Sequence, residues 1–138
     1  VEPLMQLLQR LRAVRRVCLA SFSDRRVRRM RQIASGGVRT SMGRWAVTLA
    51  YACSRSGRMP GLNAGRAQVP LRAGPLTVVD RRFVDAAHRA GVAVDVWTVN
   101  TDGDMHHAVD LGVDGIMSDR LQLLKTVLTS RGRWENAG

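Results

Sequence analysis

The stretch Val92–Asp119, VAVDVWTVNTDGDMHHAVDLGVDGIMSD, decides the fold class of this chain. Val92–Val99 is rich in β-branched residues and predicts a strand that runs out into Trp97-Thr98-Val99-Asn100. Asp102–Leu111 predicts a helix ended by Gly112, and Val113–Met117 a second strand finishing at Ser118-Asp119. Strand, helix, strand is the unit of a parallel sheet with crossover connections. Its polar residues gather where each strand finishes. In α/β barrels and open α/β sheets, ligands bind at those carboxyl ends.

Outward from this unit the same alternation continues. Leu4, Leu7, Leu8 and Leu11 recur at helical spacing, and Val17–Phe22 is a short apolar run that suits a buried strand. Asp24 is the expected cap of a helix whose face is Val27, Met30, Ile33 and Ala34, with Gly36 as its stop. Val38–Met42 predicts a weaker strand, and Arg44–Ser54 a helix holding Trp45, Leu49 and Ala52. Ser56–Gly65 is a loop by composition, Ala67–Pro70 a short strand, and a turn region runs through Pro75. Asp80 caps a helix to Ala90 bearing Phe83 and Ala87, and Asp119, with Gln122 in a capping box, opens the last one through Leu124 and Val127. The expected order is a helix followed by about five strand–helix units, α/β in class, without hairpin signals.

A length of 138 residues with 45% hydrophobic composition supports one domain with a real core. The expected bounds are 1–130 for that domain and 131–138 for a flexible tail. No apolar run reaches the roughly 18 residues of a membrane span, and no leader pattern is present. The first residue is Val1, which leaves a cut or incomplete start open. Cys18 and Cys53 lack CxxC spacing and read as free buried thiols, fitting a cytoplasmic location. Net charge is +11, and all but Lys125 of the 22 basic residues are arginine. That bias fits GC-rich coding. The charge attracts polyanions, yet no aromatics interleave with the Arg10–Arg16 and Arg25–Arg31 runs, so solvated helix faces are the preferred reading over specific nucleic-acid binding. His106 and His107 are adjacent on a helix and cannot both face one metal. Zinc spacings, GxGxxG and GxxxxGK are absent.

Two phrases resemble the glycerophosphodiester phosphodiesterase family: Val96-Trp97-Thr98-Val99-Asn100, and Gly112-Val113-Asp114-Gly115-Ile116-Met117-Ser118-Asp119-Arg120. Members carry a WTVN or WTVD strand end and then GVDGIxTD. Ser21-Phe22-Ser23 resembles the family's SF phrase. The likeness spans about residues 14–128. Ser118 stands where the family has Thr, and Leu121 where Pro is common. The resemblance implies a TIM-type (β/α) barrel, which needs roughly 250 residues for eight units. The expected fold is therefore a partial barrel, about five parallel strand–helix units of eight, forming its C-terminal part.

The family's reaction is metal-dependent hydrolysis of glycerophosphodiesters to glycerol 3-phosphate and an alcohol, part of lipid metabolism. The implied cofactor is a divalent metal, Mg or Ca, with a pair of histidines for acid–base work. The family's HRG, Glu-Asn, Glu-x-Asp, His-Asp and Glu-x-Lys phrases have no counterpart here, so no catalytic residue and no metal ligand is assigned. Ala87-His88-Arg89-Ala90-Gly91 is a decoy for HRG: it carries an extra residue, lies on a helix and precedes a strand. Four residues are expected to line a substrate pocket: Trp97 as an apolar wall, Phe22 beside Ser21 at another strand end, Gln68 in the Ala-Gln-Val-Pro strand, and Asn100, whose ordinary role is a loop or cap. Asp119 and Asp114 read as cap and turn residues.

The expected partner is a small glycerophosphodiester. The isolated chain is expected to be inactive, or active only with a missing N-terminal part, and its open edges favour self-association. The alternatives are a non-catalytic basic α/β module for polyanions and a gene remnant.

Overall fold

Short apolar runs separated by amphipathic helices bury both only when the runs pair side by side beneath the helices, and the chain takes that arrangement. The computed structural model describes residues 1–35, 37–61 and 63–134. The order is α1 (Glu2–Arg10), a 3₁₀ turn (Val14–Arg16), β1 (Cys18–Leu19), α2 (Asp24–Ile33), β2 (Arg39–Thr40), α3 (Arg44–Ser54) and β3 (Arg66–Val69). There follow β4 (Arg72–Ala73), β5 (Leu76–Thr77), α4 (Arg81–Arg89), β6 (Ala93–Val96), α5 (Asp102–Leu111), β7 (Gly115–Ile116) and α6 (Leu121–Ser130).

β1 pairs in parallel with β2, and β3, β6 and β7 form a parallel three-stranded sheet in that order. Among the described residues a single parallel bridge from Ser41 to Arg66 joins the two groups. Five parallel strands thus follow one another in chain order, each succeeded by a helix: a partial (β/α) barrel. Among the described residues β1 and β7 each have one strand neighbour only. Leu4 and Leu7 on α1 and Leu11 at its C-cap are exposed, as are Met117 and Leu121 beside β7.

Strand alternation sorts the side chains. Ala67, Val69, Val94 and Val96 are buried towards the helix layer with Phe83, Val84, Ala87, Met105 and Val127. Arg66, Gln68 and Asp95 alternate with them on the other face. Phe83 is fully buried, and truncating it to Ala is worth about 3–5 kcal/mol. A second, smaller cluster of Met5, Leu8 and Met30 lies under α1 and α2.

Several expectations are corrected. The strands are shorter than their apolar runs, because β1 and β2 pair over two residues each. Arg72–Thr77 is an antiparallel hairpin, formed where no hairpin was expected. On α3, Trp45 is exposed, and the inward stripe is Ala46, Ala50 and Ser54 at i, i+4 and i+8 spacing, with Ala50 and Ser54 buried and Ala46 and its neighbour Val47 half-buried. Ser23, not Asp24, caps α2 by accepting from the Arg26 amide. The expected stop at Gly36 lies outside the described residues. Arg120 is the N-cap of α6 without a side-chain bond, so Asp119 is not the cap and Gln122 completes no box. In the tail, Arg131 is hydrogen-bonded to Asp110, and Lys125 sits over the Trp134 ring at 5.8 Å. Residues 135–138 lie outside the described residues.

Candidate functional site

The carboxyl ends of β1, β2, β3 and β6 open on a cleft of about 760 Å³. Phe22, Met42, Val47, Gln68, Leu76 and Trp97 are among the side chains that line it, so its walls are largely apolar with a few polar groups. Phe22 and Trp97 meet edge to face, with ring centroids 6.0 Å apart and planes at 69°. Phe22 is 69% exposed, so its ring stands at the mouth. The Trp97–Thr98 peptide bond is cis.

One side of the cleft is the start of α3, and three of its leading N–H groups are already taken, that of Arg44 by the Phe22 carbonyl at 3.3 Å. The Asp24 carboxylate accepts from the amides of Trp45 (3.0 Å) and Ala46 (3.2 Å), although Asp24 belongs to α2. Such an anion suits the positive end of a helix. A side chain at Gly43 would place its Cβ 2.4 Å from Asp24 Oδ1 and 2.9 Å from Asp24 Cα, so this approach requires glycine. Arg44, one residue on, is the charged side chain lining the cleft among the described residues, and it is exposed.

The cleft floor is polar. Gln68 lines it, with its backbone N–H donating to the Ser41 hydroxyl at 3.2 Å and its side-chain Nε2 donating to Asp95 Oδ2 at 3.3 Å. Asp95 is only 4% exposed and is clasped by the Arg66 guanidinium through both oxygens. The bidentate geometry is the strong form of an Arg–carboxylate contact. Asp95 leans over Gly115, where a Cβ would fall 2.3 Å from Oδ1.

Asn100 does not line the cleft; it ties the ends of β6 and β7 together. Its Oδ1 accepts from the Ser118 hydroxyl (3.1 Å) and the Asp119 amide (3.0 Å), and its Nδ2 donates to Asp119 Oδ2 (3.0 Å). The Ser118 hydroxyl in turn accepts from the Arg120 amide at 2.9 Å. Trp97, Phe22 and Gln68 are therefore brought to one cavity, and Asn100 stands on the same side of the sheet as a clamp.

At the opposite end of β6, Asp114 accepts from the Val94 amide (2.7 Å) and pairs with His88 Nε2 (2.8 Å). Burial pushes the Asp114 carboxyl up, but the Val94 and His88 bonds outweigh it and leave it below its ordinary value. His88 is thus a structural partner far from the cleft. Among the described residues no group of three His, Cys, Asp or Glu side chains comes together to hold a metal ion. This donor set does not fit a divalent cation. No helix among them is long and apolar enough to cross a membrane.

Residues 3–123 match the model of the glycerophosphoryl diester phosphodiesterase family. The chain belongs to that family. It is similar to the Mycobacterium tuberculosis (strain ATCC 25618 / H37Rv) protein named "Probable glycerophosphodiester phosphodiesterase 2", with 36% identity over 143 residues, covering 99% of this chain and 54% of that protein. The chain thus spans about half the length of this curated relative. A solved chain from Silicibacter pomeroyi DSS-3, provisionally designated a glycerophosphoryl diester phosphodiesterase, shares the fold: TM-score 0.68 at 23% identity, covering 91% of this chain and 42% of that one. In this chain the residues of the two phrases that carried the resemblance divide between two structural parts. Trp97 belongs to the cleft wall, while Asn100, Ser118 and Asp119 form the clamp.

Sequence reasoning passed over Arg66, Asp95 and Arg44. For the first two a signal existed: Arg66-Ala67-Gln68-Val69 and Val94-Asp95-Val96 alternate polar with apolar. The opposite charges on those polar faces point to a pair once the strands are set side by side.

Proposed function

We propose that the chain forms the C-terminal wall of a glycerophosphodiester-hydrolysing site, one that releases glycerol 3-phosphate and an alcohol in lipid metabolism. The observation that carries the reading is the meeting of Trp97, Phe22 and Gln68, from three separate strand ends, in one cleft at the carboxyl side of the sheet. The aromatic faces pack against the CH groups of a glyceryl unit, and Gln68 supplies a polar contact. Arg44, exposed on the cleft lining, offsets phosphate charge in this reading by a charge-assisted hydrogen bond. The α3 start does not take that part, since Asp24 already accepts from two of its N–H groups and the Phe22 carbonyl from a third.

Hydrolysis of the diester needs a base for the attacking water and an acid for the leaving oxygen, one on each side of phosphorus. The three histidines of this chain do not supply them: His88 is committed to Asp114 away from the cleft, His106 pairs with Asp102 on α5, and His107 is exposed on that same helix and does not line the cleft. Mg or Ca, the metal implied by the family, finds no fitting donor set among the described residues, so no step is assigned to it here. The reading is binding without turnover by these residues alone.

Incubating the purified chain with glycerophosphocholine, with and without a chelator, tests this. The expected result is ligand-induced change in tryptophan fluorescence with no glycerol 3-phosphate released. Chelator-sensitive turnover refutes the assignment of these residues as wall only. Absence of any binding refutes the pocket.

A second reading has one observation in its favour. Glu2 and Asp24 are the only acidic residues before Asp80, and Arg12, Arg15, Arg16, Arg25, Arg26 and Arg28 are all exposed in that half. As a polyanion-binding module the chain would hold heparin with an affinity falling steeply with salt. Salt-insensitive or undetectable binding removes this alternative.

A further inference from the structure

Gln68 faces the cleft with one end of its amide already engaged. Its Nε2 is 3.3 Å from Asp95 Oδ2, and Gln68 and Asp95 are register partners on β3 and β6. A carboxylate clasped by a guanidinium only accepts hydrogen bonds, so it meets an amide through the NH₂ end. The chemistry of the partner, rather than the similar shapes of nitrogen and oxygen, therefore sets which way the amide points. The other end is left over. Among the described residues none donates to Gln68 Oε1, and that oxygen is not sealed from solvent. Asp95 cannot easily turn away, because Arg66 grips it and Gly115 lies directly beneath it.

We propose that Asp95 is a positioning residue that locks the Gln68 amide, so that the cleft floor offers an acceptor-only carbonyl and selects ligands bearing a hydroxyl donor at that point. This rests on the cleft being the glyceryl site proposed above, and it specifies how the glycerol end is told from an alkyl phosphate of the same length. A ligand lacking the hydroxyl displaces water from Oε1 without replacing its donor. In a cleft open to solvent the preference is about five- to tenfold.

Titrating the full 138-residue chain with glycerol 3-phosphate and with propyl phosphate, followed by NMR, tests the proposal. The wild type binds glycerol 3-phosphate the more tightly by that factor. Gln68→Leu, which keeps the bulk and removes the acceptor, brings the two affinities together. Asp95→Asn lets the Gln68 amide turn over, so the preference shrinks and the Gln68 NH₂ resonances move while the backbone spectrum persists. Equal affinity in the wild type, a preference that survives Gln68→Leu, or Gln68 NH₂ resonances indifferent to Asp95→Asn overturns the proposal and leaves the glyceryl reading standing. A wild type that binds neither compound overturns both together.

Discussion

Gly115→Ala is the sharpest probe of the fold. The added Cβ would stand 2.3 Å from Asp95 Oδ1 and 3.2 Å from its Cγ. Asp95 cannot absorb this as a surface side chain would, since it is almost fully buried and held by Arg66. Two responses are open. If β7 moves off β6, the substitution costs what overpacking costs, about 1–3 kcal/mol. If Asp95 yields instead, it weakens its ion pair, and losing a buried pair altogether costs about 3–5 kcal/mol. Partial yielding on both sides gives an expected loss of about 2–3 kcal/mol. For a chain of this size that lowers Tm by roughly 6–12 °C. Urea unfolding followed by tryptophan fluorescence reads the difference, and Asp95→Ala supplies the control. In an Asp95→Ala background the clash is gone, so Gly115→Ala should cost less than about 1 kcal/mol and the two changes should be strongly non-additive. A Gly115→Ala variant within about 0.5 kcal/mol of the wild type, or additive with Asp95→Ala, refutes the close approach.

Acid should unfold the chain through its paired carboxylates. The Arg55 guanidinium, bonded to Asp80 at 2.7 and 2.8 Å, holds that carboxyl below its ordinary 3.8, and Asp114 is lowered too by the bonds that outweigh its burial. Folded values below unfolded ones mean that protons favour the unfolded chain, so this stability is present above pH 3.8 and lost as pH falls through the folded values. The urea midpoint should drop from about pH 5 downward, and a midpoint independent of pH would contradict it. Asn100→Ala removes the three bonds to Ser118 and Asp119; a stability loss of about 1–2 kcal/mol is expected in thermal melts, with glycerol 3-phosphate affinity changed less than about twofold. Affinity loss without destabilisation would make Asn100 a ligand contact instead. Open edges at β1 and β7 with exposed leucines beside them predict concentration-dependent association in sedimentation velocity, and a monomer at all concentrations argues against it.

The elements most legible in the sequence were those closed by local chemistry. The spans of α3 and α5 matched their expected residues, and Asp80 capped its helix by taking the Phe83 amide. What depended on distant neighbours was not legible. Val17–Phe22 is apolar but for Ser21, yet only Cys18 and Leu19 find a ladder partner. Ser23 and Asp24 are both competent caps, and only tertiary packing sends Asp24 to another helix. Arg72–Thr77 lacks the apolar alternation that marks a hairpin, so its turn residues were seen without its strands. In the site, Trp97, Phe22 and Gln68 could be grouped because strand ends share one side of a parallel sheet. Arg66 and Asp95 could not be matched until the register was known.

The lone Ser41–Arg66 bridge has a mechanical consequence. It separates a small N-terminal lobe, with its own apolar cluster, from the larger body, so the seam between them is where cooperativity is weakest. Amide exchange should therefore be faster in the α1–β2 region than in β6. Phe22 and Ser41 lie on one bank of that seam, Gln68 and Trp97 on the other. A molecule seated in the cleft would rivet the two banks, merging two unfolding steps into one.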